Sequence, residues 1–427
     1  MELTARVRSL LSDWISFLLL AVPPRSRRTF AELLVACMLS PTGWVTQAIS
    51  VFVRVTHWTS YYKLIERANW DTSVLAQRLV SLIGAVFPQK TASLIIDDTL
   101  VPRVSKSAPG VDMRHDHAKK PNRPTFLNAQ CWVTLAAVIK VRHGSATTVP
   151  ILSHLVAACG NTNKLVIAQA LIEAVAGGFA RLRLLFDSAY MRRRLILPLR
   201  QRGIHVVGQV RRDTALFALP PPPAGHPRGR PRHYGQKLSP EVVAALPASE
   251  QTLMLYGKAQ RVRWRSCRAR VRFLRGVTVR AVWCEFFDPD KGSWSRTRLL
   301  IATETQLSPA AVVQIYARRW GVEPLFHNLK RWWGVANLWQ QSAPALEAWM
   351  QLRSLAYALT QMLALILHDT FPIAQIAPWR SRTVTTAGLF AAWLRLRFSG
   401  LCLRQAYCAK SQKFFMPAAR FDARLQL

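Results

Sequence analysis

Three acidic residues stand where a carboxylate could do chemistry: Asp97 closes the apolar run SLIID, Asp187 closes RLRLLFD, and Glu323 lies within YARRWGVEPLFHNLK. The rest of the chain sharpens their meaning. Its 427 residues carry 58 Lys plus Arg against 22 Asp plus Glu, a formal charge of +36, so the surface attracts polyphosphate. A carboxylate placed where phosphate docks adds repulsion unless a divalent cation separates the two. The three acids therefore read as a metal site for phosphate chemistry.

Around Glu323 the spacing adds cations. On an α-helix Tyr316, Arg319, Glu323 and Lys330 fall within roughly a 60° arc, one stripe about 21 Å long. Such a stripe can hold a metal and grip the flanking phosphates together. Pro324 clashes with the carbonyl of Trp320 in an uninterrupted helix, so a kink is expected there.

The elements that must carry these residues follow from the patterning. Residues 1–88 read as helices and are assigned to a helical DNA-binding domain. In it, Thr29 and Glu32 form a capping-box start for FAELLVACML, SPTG breaks that helix, and Arg25, Arg27 and Arg28 lie beside it. The two short helices fit a helix-turn-helix as well as any small bundle. Residues 89–212 change period: SLIID, FLNAQCWVTLAAVIKV and TTVPILSHLV read as strands, then helix, the strand RLRLLFD, helix, and the strand IHVVGQVRR. That order describes an α/β domain with a mixed sheet.

Residues 213–304 comprise a basic, Pro-rich linker and a β-strand insert. Within the linker, RGRPR resembles the AT-hook core, in which Arg228, Arg230 and Arg232 enter a narrow minor groove; a plain basic linker has the same composition. The following runs, such as QRVRWRS and RARVRFLR, alternate apolar and basic residues, giving one buried and one cationic face. Residues 305–372 resume the α/β pattern with the Glu323 helix and a long apolar helix behind it. Residues 373–427 are a basic C-terminal region.

Several classes drop out. Seven cysteines, Cys37, Cys131, Cys159, Cys267, Cys284, Cys402 and Cys408, include no Cys-x-x-Cys pair, arguing against a disulfide framework and a zinc ribbon. His115, Asp116 and His117 read as a polar loop rather than a metal site, because further ligands at suitable spacing are missing. No stretch approaches the ~18 uninterrupted apolar residues of a membrane span, and no phosphate-binding glycine loop is present, so neither a membrane nor a nucleotide cofactor is expected. A cytoplasmic, nucleoid-associated protein is the simplest reading.

The spacing Tyr, two residues, Arg, three residues, Glu, six residues, Lys resembles the signature of bacterial insertion-sequence transposases of the DDE type, which have an RNase H-like catalytic domain. Asp97-Asp98-Thr99 after a first strand, Asp187-Ser188 after a later one, and a β insert ahead of the glutamate helix match that family in order. The resemblance covers roughly residues 90–345. It implies an RNase H-like mixed-sheet domain interrupted by an antiparallel β insert and preceded by the helical domain. It also implies that Asp97, Asp187 and Glu323 hold two Mg²⁺ or Mn²⁺ ions, with Asp98 as the alternative first acid, since neighbouring strand residues face opposite sides. Arg319 and Lys330 would contact phosphates, Tyr316 would position a phosphate or the glutamate, and Trp294 in the insert would stack on a displaced base. The implied partners are double-stranded DNA, as element ends with terminal inverted repeats and as target, and a second copy of the chain in the synaptic complex. A catalytically inactive DNA-binding relative and an RNase H-like nuclease acting on RNA or hybrids are the alternatives.

Overall fold

Apolar residues at helical spacing build the start of the chain. In a computed structural model, which describes residues 3–54, 56–67, 70–116, 124–140, 146–157, 162–221, 232–380 and 384–418, five helices come first: α1 (Leu3–Leu19), α2 (Arg27–Leu39), α3 (Val45–Ile49), α4 (Trp58–Arg67) and α5 (Thr72–Val86). α1 buries Val7, Leu11, Trp14, Ile15 and Leu18 along one stripe. Asp71 caps α5, accepting from the Ser73 and Val74 amides at 2.7 and 3.2 Å.

The expected Thr29–Glu32 capping box does not form. α2 begins at Arg27, and Glu32 is buried in its interior, accepting from Arg28 Nε at 3.1 Å, Thr56 Oγ1 at 3.3 Å and Tyr61 Oη at 2.6 Å. Those side-chain donors satisfy the carboxylate better than one amide at a helix start would.

The sheet follows: β1 (Ala92–Pro102), β2 (Val111–His115), β3 (Phe126–Lys140) and β4 (Ala146–Leu155), then α6 (Thr162–Ala176), β5 (Leu182–Phe186), α7 (Arg193–Gln201) and β6 (His205–Val210). β1, β5 and β6 run parallel to one another, while β3 lies antiparallel beside β1. β2 and β4 pair with successive stretches of β3 along its other edge. Pro150 is accommodated in β4 at a bulge: Leu135 faces Leu152 and Ala136 faces Pro150, leaving Ile151 as the extra residue. Its carbonyl is not orphaned, since Gln351 Nε2 donates to it at 2.8 Å.

Beyond β6 come β7 (Leu216–Phe217), α8 (Pro240–Ala244), β8 (Ser249–Leu255), β9 (Lys258–Val271), β10 (Val277–Asp288), β11 (Ser293–Trp294) and β12 (Arg298–Ala302). β12 pairs antiparallel with β6 and β10 with β12, so these strands extend the sheet to twelve. β9 does not keep the single buried face expected of it: Val262 and Trp264 are buried on one side, Ala269 and Val271 on the other, because the parity changes between them without a bulge.

The chain continues through α9 (Pro309–Ala317), α10 (Val322–Trp332), α11 (Ala343–Ile366), α12 (Ile373–Ile376) and α13 (Ala387–Phe398). The single Glu323 helix expected from the sequence is divided: a 3-10 turn over Arg318–Gly321 separates α9 from α10. Pro324 sits in the first turn of α10, where its missing N–H costs nothing. α11 is buried along most of its length and packs on β4, α2, α4 and α13, joining the helical start of the chain to the sheet. Among the described residues no helix is long and apolar enough to cross a membrane. The mixed α/β architecture, with three parallel strands at its centre, is consistent with an RNase H-like domain.

Candidate active site

Strand register brings two of the three acids together. In the parallel pair β1–β5, Ile96 faces Phe186, so the next residue of each strand, Asp97 and Asp187, leaves the pair side by side. Residues 93–96 and 182–186 are buried up to that point, so a slip that drew either aspartate into the run would bury an unpaired carboxylate. Asp187 ends β5: its Oδ1 accepts from the Ala189 and Tyr190 amides at 2.9 and 3.2 Å, closing a turn. Asp97 remains within β1 opposite Thr134, with its Oδ1 accepting the Asp98 amide at 2.9 Å.

A cation reaches this pair from the turn between α9 and α10. Arg319 Nη1 donates to Asp97 Oδ2 at 2.8 Å, with both side chains mostly buried. The turn itself is pinned to the sheet, since Thr148 Oγ1 of β4 donates to the Gly321 carbonyl. Tyr316, one turn earlier, donates from its hydroxyl to Gln209 Oε1 at 3.4 Å, and the Arg319 guanidinium lies 6.0 Å from its ring centre.

The charges are strongly coupled. Burial, followed by the charge of Asp187, pushes the Asp97 carboxyl up to about 7, although Arg319 pulls the other way. Burial also pushes the Tyr316 phenol up to about 12. Burial works against the charge on Arg319, but Tyr316, Asp97, Asp187 and Glu323 outweigh it and hold the guanidinium above the ordinary arginine range.

Asp98 faces away from this group. Its Oδ2 accepts from Lys164 Nζ of α6 at 2.7 Å and its Oδ1 from the buried Tyr190 hydroxyl at 2.9 Å, with Cys131 Sγ 3.4 Å from Oδ2. Alternate residues of a strand point to opposite faces, so the Arg319 turn and α6 cover opposite sides of β1. A profile for the family described as DDE superfamily endonuclease matches residues 19–270, more than half of the chain. The chain belongs to that family. No curated protein matches the sequence.

DDE superfamily endonucleases generally use divalent metal ions. In this member the matched span contains Asp97, Asp98 and Asp187 and ends before Tyr316, Arg319, Glu323 and Lys330. The aspartate pair fits a hard cation, offering adjacent carboxylate oxygens whose mutual repulsion a positive charge relieves. Among the described residues, however, no three His, Cys, Asp or Glu side chains are gathered closely enough to form a metal cluster. Glu323, exposed in the first turn of α10, does not complete a three-carboxylate group in this conformation. Lys330 lies in the last turn of α10, seven residues on and hence on nearly the same helix face as Glu323.

The other sequence-predicted residues lie elsewhere. Trp294, in β11, packs its ring edge-on to Phe287 at 5.3 Å and lies under Arg263 at 4.5 Å and Arg261 at 5.7 Å. Arg232 is exposed, and Arg228 and Arg230 lie outside the described residues, as does His117. Sequence reasoning missed a hollow of about 480 Å³ that starts at Ser188, the residue after Asp187, and is lined by Arg192, Arg193, Arg211 and Arg272 with a single acid, Asp213. Only Ser188 carried a signal, by following Asp187; Arg211 and Arg272 arrive there through sheet topology.

Proposed function

We propose that this endonuclease-family protein is an insertion-sequence DNA transposase that cuts at element ends and joins 3′-hydroxyl ends to target DNA. The observation that carries the reading is the pairing of Asp97 and Asp187 at adjacent parallel strands with Arg319 set against them. Asp97, Asp187 and Glu323 would hold two Mg²⁺ or Mn²⁺ ions. Those ions, when bound, supply the acidity that activates a water or 3′-hydroxyl and the charge that stabilises the leaving oxygen.

The chain's own residues do the rest. With the aspartate charge neutralised, the Arg319 guanidinium is released to grip a non-bridging phosphate oxygen next to the cleaved bond. Lys330 does the same one to two turns along α10, and Tyr316, held by Gln209, keeps the arginine in line. The hollow beside Asp187 leads a phosphate backbone to the cut. Residues 1–88 and the cationic face of residues 213–304, with Arg228, Arg230, Arg232 and Trp294, would provide the sequence-specific and stacking contacts. Two copies would hold the two ends.

The test is an end-joining assay. Purified protein, Mg²⁺ and DNA bearing the inverted repeats that flank its own gene should yield nicks at the element termini and joined products in a target plasmid. Persistently intact DNA in Mg²⁺ and Mn²⁺ would support a binding protein instead, and preferential cutting of RNA–DNA hybrids a nuclease.

A further inference from the structure

Asp98 has no place in the reaction proposed above, yet it is among the most heavily bonded carboxylates near the site. Three side chains from three elements converge on it: Lys164 from α6, Cys131 from β3 and Tyr190 from the turn after β5. Tyr190 is 1 % exposed, so it donates to Asp98 without competition from water. Its backbone amide points at the site, donating to Asp187 Oδ1 at 3.2 Å, while its carbonyl accepts from the Arg192 amide at 2.7 Å. One residue thus bonds Asp98 through its hydroxyl and Asp187 through its amide. Only two residues, Ser188 and Ala189, separate Asp187 from Tyr190, so fixing the ring fixes the turn, and with it the carboxylate that opens the turn.

We propose that Asp98 is a positioning residue: through the Tyr190 hydroxyl it locks the 187–190 turn, and so aims the Asp187 carboxylate beside Asp97. The tandem acids of β1 then divide the work by face. Asp97 presents its oxygens on the reacting side, and Asp98 holds the neighbouring strand's acid from behind. Lys164 supplies the countercharge that lets Asp98 remain an acceptor while partly buried, at 19 % side-chain exposure. Outer hydrogen bonds of this kind orient metal-binding carboxylates, and their loss weakens metal affinity roughly ten- to a hundredfold.

This inference rests on the metal-site reading of Asp97 and Asp187, and its experiment separates the two. Tyr190→Phe keeps the buried ring and deletes only the hydroxyl. In the metal-free full-length protein, amide hydrogen exchange across residues 187–190 should quicken by about fivefold or more, and Mn²⁺ binding followed by electron paramagnetic resonance should weaken about tenfold. Asp98→Asn keeps a hydrogen-bonding partner for Tyr190, so its Mn²⁺ affinity should fall less than that of Tyr190→Phe. Unchanged exchange across 187–190 in Tyr190→Phe overturns the proposal. So does an Asp98→Asn protein that loses Mn²⁺ as completely as Asp187→Ala, because Asp98 would then be a ligand itself. If Asp187→Ala binds Mn²⁺ like the parent, the metal-site reading fails, while the exchange experiment still decides whether Asp98 holds the turn.

Discussion

Arg319 donates to Asp97 across 2.8 Å, from a 3-10 turn 222 residues further along the chain. That contact makes Arg319 both a substitute for a metal ion and a rival to it. Replacing it with Gln should therefore split two measurements. Mn²⁺ binding to the DNA-free protein should tighten a few-fold, because the competing cation is gone, while nicking should fall about 100-fold or more for want of a phosphate grip. A parallel fall in both would mean that Arg319 only holds Asp97 in place.

The basic hollow beside Asp187 predicts a salt effect. Arg193 and Arg272 are exposed and line it from α7 and from the turn after β9. Each changed to Ala should weaken DNA binding at every sequence alike and lower the slope of log affinity against log salt by about 1. An unchanged slope would place the DNA backbone elsewhere.

How much of this could be read beforehand depends on the range of the interaction. Asp97 and Asp187 were legible because each ends an apolar run whose burial is a local property of the sequence. Their adjacency was readable only as a consequence of a parallel strand pair. The Tyr316–Glu323 stripe was drawn on one helix with a kink at Pro324; a 3-10 turn over Arg318–Gly321 divides it instead, and Thr148 fixes that turn from 173 residues away. Glu32 shows the same limit, since a capping box is a local signal and Tyr61 and Thr56 are tertiary partners. The extension of the sheet through β12 and β6 depends on pairing Leu299 with Val210, which no window of sequence contains.

The helical start of the chain and the glutamate helix meet at two glycines. Gly334 follows α10 with φ of 67°, and a Cβ there would lie 2.0 Å from the Gly43 amide nitrogen. Gly334→Ala should cost about 2 kcal/mol or more, from left-handed strain plus backbone overlap, and should lower the melting temperature accordingly. A variant that melts with the parent would show that this junction is soft.

His154 of β4 bonds Glu347 of α11 at 2.9 Å, and that bond raises the imidazole above its ordinary range. A raised folded-state value means a stabilisation present below the unperturbed pKa near 6.5 and lost as pH climbs through the folded one. Melting temperature should therefore decline over that interval in the parent and less so in His154→Gln. The effect is small, because half the side chain is exposed and the pair is screened. Identical pH profiles would remove the bond from the stability account.

The most direct test of the catalytic assignment is Mg²⁺-dependent nicking of DNA carrying the element's own ends, measured for the parent and for Asp187→Ala side by side. With the carboxylate beside Asp97 removed, nicking should fall at least about 1000-fold, the scale at which loss of a principal charge-stabilising group is felt, while DNA binding persists. An Asp187→Ala protein that cuts as well as the parent would contradict the active site described.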